Sequence, residues 1–127
     1  MEAPSSISYS GHSPTRSISL PAGRRIVLRI IWRFRAKAKR VDEFRNVYGW
    51  KGRWAKLFGR SPEYQGTILL QDISDPLVFI VIDRWASADS FTRFQQLFRP
   101  DYEDLDQQCN ELTDEETLIG NFQDEAV

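Results

Sequence analysis

Residues 80–94, IVIDRWASADSFTRF, bring together the side chains best suited to chemistry in this chain. Trp85 admits two readings. It either closes a hydrophobic core, as a large flat ring at a strand end commonly does, or it walls a ligand pocket. Asp83 shares its strand parity with Trp85, so it points to the same side of the sheet, while Arg84 points to the other. A carboxylate on that side needs a donor or becomes a candidate base. The expectation favoured by its position is exposure at the strand end beside a surface arginine.

Nucleophilic and metal chemistry find little support. The only histidine is His12 and the only cysteine Cys109, the latter in the acidic stretch DLDQQCNEL with no adjacent base to activate it. A Ser-His or Cys-His pair therefore lacks its imidazole in the folded part. No metal-ligand spacing, P-loop, GxGxxG or GxSxG occurs, so no metal or cofactor is expected. Aromatics are plentiful instead. Trp32 lies on the apolar face of an alternating run, and Trp50 and Trp54 sit four apart on a helical stretch, where they would share one side. Tyr48 and Tyr102 supply hydroxyls near the domain core.

The elements that would position these residues follow from periodicity. IVLRIIWRFR (26–35) alternates, with Ile26, Leu28, Ile30, Trp32 and Phe34 on one face and three arginines on the other, which predicts a strand. VDEFRNVYGWKGRWAKLF has helical spacing interrupted by Gly49 and Gly52, predicting a bend or close backbone contact. YQGTILLQDI and LVFIVIDRW read as a hairpin around SDP. Ser87 reads as the N-cap of a helix striped by Phe91, Phe94 and Phe98. Pro100 would end it, a short acidic helix follows, and ETLIGNFQ is a last strand containing Gly120.

The order β-α-β-β-α-β predicts an α+β, ferredoxin-like antiparallel sheet with its helices on one face. Its other face keeps apolar side chains, and the economical cover is a second copy, making a homodimer. Arg29, Arg33 and Arg35 on that face would need acidic partners, which the acidic C-terminal third can supply.

Composition narrows the classes further. Residues 1–23 carry seven serines and three prolines without periodicity and read as a disordered arm, leaving residues 24–127 as the folded domain. Residues 1–60 hold 14 of the 17 Lys and Arg, and residues 61–127 hold 15 of the 18 Asp and Glu. With no recognition motif beside the basic residues, the two halves are expected to complement each other rather than bind nucleic acid. No apolar run reaches the length of a membrane span, and no basic-apolar leader opens the chain. Together with the single cysteine, this predicts a cytoplasmic protein with no membrane partner.

"YGWKGRWAKLF", "SPEYQGTILLQD", "IDRWASADSFTRF" and "YEDLDQQCNELTDEETLIGNF", in that order, resemble the antibiotic biosynthesis monooxygenase family of dimeric α/β barrels over residues 26–123. The resemblance implies a pocket between sheet and helices in each subunit. In some members it serves oxygenation of polycyclic phenols without metal or flavin, and in others oxidative haem breakdown. Trp85 matches the tryptophan shared by both classes. The phenol-oxidising asparagine four residues before it and tyrosine six after it are here Val81 and Phe91. The haem-ligating histidine, about ten residues after, is replaced by Phe94 and Gln95, and the first strand lacks the expected asparagine. The resemblance thus implies cofactor-independent oxygenation of an electron-rich aromatic rather than haem breakdown. Trp85 would wall the pocket with Trp32, Trp54 and Phe91. Arg84 or Arg33 would offset an oxyanion, and Tyr48 or Tyr102 would hold a hydroxyl. A non-catalytic small-molecule-binding or structural dimer module is the competing reading.

Overall fold

A computed structural model describes residues 27–125. The expected arm at residues 1–23, with His12, lies outside the described residues, as does Ile26. Four strands form one antiparallel sheet: β1 (Leu28–Ala36), β2 (Tyr64–Gln71), β3 (Val78–Trp85) and β4 (Thr113–Gln123), in the order β2-β3-β1-β4. Between β1 and β2 run α1 (Val41–Tyr48) and α2 (Arg53–Phe58); between β3 and β4 run α3 (Ala88–Leu97) and α4 (Arg99–Cys109). This is the α+β, ferredoxin-like arrangement expected, with the central strands β1 and β3 each flanked on both sides.

Strand parity sorts the two faces. Ile30, Phe34 and Ala36 of β1 and Phe79, Val81, Asp83 and Trp85 of β3 are buried against the helices, which contribute Phe44, Trp54, Phe58, Phe94 and Leu105. Among the described residues no helix covers the opposite face. Ile31, Ile82 and Ile68 stand side by side across β1, β3 and β2, with Ile80 opposite Leu70 in the next row. Leu70 is 48% exposed and Phe122 46%. The three β1 arginines of this face find acids within the chain: Arg29 pairs with Asp124 at 2.7 Å, Arg33 with Glu115 at 3.4 Å and Arg35 with Asp75 at 2.7 Å.

The close backbone contact expected at the glycines is present, and the stretch holding Gly49 and Gly52 divides there into α1 and α2. A Cβ on Gly52 would come within 2.4 Å of the Val47 carbonyl oxygen, so only glycine lets the chain leave α1 and start α2 there. Trp50 falls in that break and is 70% exposed, while Trp54 is buried, so the two do not share a side. As expected, α3 ends before Pro100, at Leu97, and an acidic helix follows; Pro100 itself occupies the first turn of α4, where its missing N–H costs nothing, and that helix runs through Cys109. Ser87 caps α3 as expected, its hydroxyl accepting from the Ser90 amide while Ser90 Oγ accepts from the Ser87 amide. Among the described residues no helix is long and apolar enough to cross a membrane.

Candidate functional site

A cleft opens between the helix-facing side of the sheet and the helices. Its floor is set by strand register, since Ile30 lies opposite Asp83 and Trp32 opposite Val81. All four point the same way because antiparallel partners share a face. Phe34 continues the floor along β1. Tyr48 enters from α1, Trp54 and Phe58 from α2, Phe91 from α3, and Tyr102 and Asp106 from α4. Tyr102 meets the Trp54 ring edge-on at 5.2 Å, and Trp32 stacks on Phe34 at 5.9 Å. The cavity volume is about 40 Å³, with a mouth open to solvent.

Five of the sequence-derived candidates line this cleft: Trp32, Tyr48, Trp54, Phe91 and Tyr102. Three do not. Trp85 is 0% exposed, enclosed by the rings of Phe58, Tyr64, Phe91 and Phe94 with centroids between 5.2 and 5.4 Å away. It lies beneath the site and closes the core. Arg33 and Arg84 sit on the opposite face of the sheet, where parity places them, so neither guanidinium reaches the cleft. Arg84 instead donates to the Gln65 carbonyl at 3.2 Å.

The residue whose surroundings differ most from expectation is Asp83. It is 8% exposed and lines the cleft rather than standing exposed at the strand end, and its neighbour Arg84 points to the other face of the sheet. Thr67 Oγ1 donates to its Oδ1 at 2.7 Å, and the Tyr64 hydroxyl is hydrogen-bonded to the same Thr67 oxygen. Burial pushes the Asp83 carboxyl up to about 7, a rise that the Thr67 hydrogen bond partly offsets. Burial likewise raises the Tyr64 phenol, to about 12, and holds the Tyr48 phenol well above its usual range. Tyr48 Oη and Trp54 Nε1 are neighbours at the cleft but neither makes a well-formed hydrogen bond. Cys109 is buried nearby, and burial raises its thiol further from the reactive thiolate.

The cleft therefore presents aromatic walls, one desolvated carboxyl that changes charge near neutral pH, and a phenol and an indole N–H that meet each other without a well-formed hydrogen bond. Such a set suits a flat, apolar ligand bearing an acidic proton. Among the described residues no group of His, Cys, Asp and Glu could hold a metal ion. A family model described as antibiotic biosynthesis monooxygenase matches residues 27–105. SnoaB, a cofactor-independent oxygenase from Streptomyces nogalater, is 23% identical with a TM-score of 0.63, covering 82% of this chain and 97% of its own. A conserved protein from Methanosarcina mazei Go1 is 16% identical with a TM-score of 0.59, covering 77% and 92%. At these identities the likeness is one of fold. No curated protein matches the sequence.

Proposed function

Because the chain belongs to the antibiotic biosynthesis monooxygenase family, we propose that its cleft binds a small electron-rich aromatic and oxygenates it without a bound cofactor, Asp83 serving as the base. The observation carrying this reading is a buried carboxyl with a raised pKa of about 7 in an aromatic-walled cleft. A base of that strength is poised to take a proton at neutral pH and return it afterwards. For a hydroxylated aromatic with an acidic ring methylene, Asp83 removes one C–H proton and leaves a carbanion delocalised over the ring. That carbanion passes one electron to O₂, and the resulting pair recombines as a peroxide on the same carbon. Loss of water, using the proton held by Asp83 and the second C–H proton, leaves a carbonyl. The net change is CH₂ + O₂ → C=O + H₂O.

In this scheme Trp32, Trp54, Phe91 and Tyr102 hold the ring, and the Tyr48 hydroxyl and Trp54 N–H, neither held in a well-formed hydrogen bond, turn to stabilise the developing oxygen anion. Two copies pairing through the Ile31, Ile68, Ile80 and Ile82 face complete the proposed unit, since a patch of that kind calls for cover. The test is O₂ uptake with anthrone, comparing wild type with Asp83→Asn. Uptake above background that Asp83→Asn abolishes supports the scheme. A second reading rests on Val81 and Phe91 standing where oxygenating relatives are expected to carry polar groups. Anthrone binding with only background uptake would make the protein a binding module.

A further inference from the structure

β2 contains an irregularity that no feature of the sheet itself requires. Tyr64 lies opposite Trp85, Gly66 opposite Arg84 and Thr67 opposite Asp83, so one residue, Gln65, is extra. Residues three apart on a regular strand point to opposite faces. Here the bulge brings Tyr64 and Thr67 to the same face, the one holding Asp83. The bulge is built at Gly66, whose φ of 112° is a conformation that side-chain-bearing residues rarely adopt. Arg84 braces it from behind by donating to the Gln65 carbonyl.

Resting on the reading of Asp83 as base, we infer that Thr67 and Tyr64 are its positioning residues, a hydroxyl chain built by the Gly66 bulge to pin one oxygen of the Asp83 carboxylate and leave the group open to the cleft. Donor accounting fixes the polarity. The Thr67 hydroxyl spends its one proton on Asp83 Oδ1 at 2.7 Å, so Tyr64 donates to Thr67. Both protons then point toward the carboxylate, which favours its charged form against burial. Without the chain, the carboxyl would stay protonated at neutral pH and would no longer act as a base. The other titratable groups around Asp83 are Tyr48 from α1 and Tyr102 and Asp106 from α4. β1 presents Ile30 and α3 presents Phe91, neither charged. No cation shares the carboxyl's side of the cleft among the described residues, so the hydroxyls carry this task.

The experiment follows the Asp83 side-chain carbon by NMR through a pH titration in Thr67→Val, Thr67→Ser and Tyr64→Phe, with amide spectra confirming the fold. Thr67→Val should raise the titration midpoint by roughly one unit, the scale of one lost hydrogen bond to a charged group. Tyr64→Phe should raise it by less, and Thr67→Ser should restore the wild-type value. A midpoint that stays put or falls in folded Thr67→Val overturns the inference. The readout needs no turnover. A shifted midpoint without O₂ uptake would remove the oxygenase reading and leave the positioning role. Asp83-dependent uptake with an unmoved Thr67→Val midpoint would do the reverse.

Discussion

Asp83→Asn should make the protein more stable at alkaline pH and change how its stability depends on pH. The Asp83 carboxyl titrates near 7 when folded, against 3.8 for the free side chain, because burial opposes its charge. A carboxyl raised in this way keeps its proton in the folded state while the unfolded chain releases it. Stability contributed by the protonated form is therefore complete below about pH 4 and is lost as pH rises toward 7. At about 1.4 kcal/mol per unit, a gap of about three units corresponds to roughly 4 kcal/mol over that window. Asparagine keeps the volume and can still accept from Thr67, but its buried amide N–H₂ costs about 1–3 kcal/mol if unpaired. The variant should thus be about 1–3 kcal/mol less stable than wild type at pH 4 and more stable by about 1–3 kcal/mol at pH 8. Urea unfolding of both proteins at pH 4, 5, 6, 7 and 8, at one fixed protein concentration, reads the difference. Carboxylates lowered by surface arginines, such as Asp75 and Asp124, give the opposite slope but cancel between the two proteins. A wild-type-minus-variant difference flat to within about 1 kcal/mol across the range would refute the reasoning.

Trp85→Phe should cost about 1–3 kcal/mol in urea unfolding, because a fully buried ring loses contacts on every side, yet change the affinity for an aromatic ligand by less than about threefold. Trp54→Phe, which alters a cleft wall, should weaken that affinity more; the reverse order would return Trp85 to the site. Ile82→Asp, placing a charge in the middle of the uncovered sheet face, should convert a dimer to a monomer by light scattering with the helical signal retained. A wild-type monomer, or a dimer indifferent to Ile82→Asp, would rule out pairing through that face.

The fold was legible because its signals are periodic. The alternation in IVLRIIWRFR and LVFIVIDRW placed both central strands and their buried faces, and Ser87 marked the start of a helix by its capping chemistry. The site was legible in part. Parity put Trp32 on the cleft side and correctly aligned Asp83 with Trp85, and it also sends Arg33 and Arg84 to the other face. What parity leaves open is depth. Whether a strand-end carboxyl is exposed depends on how far the following helices extend over it, and Phe91 and Tyr102 come across the chain to line the same cleft as Asp83. Thr67 and Tyr64 escaped because a regular strand would separate them. The signal that could have found them is the glycine in YQGTILL, since a glycine inside a strand marks a bulge. The pairing of Trp50 with Trp54 failed because glycine sterics at position 52 outweighed helical spacing.

The central claim is that burial has turned Asp83 into a group that changes charge near neutral pH at the floor of an aromatic cleft. The most direct measurement is the pH titration of its side-chain carboxyl carbon by NMR in the wild-type protein. A midpoint of about 7 is the predicted result. A midpoint close to 4, the value of a solvated aspartate, would contradict it.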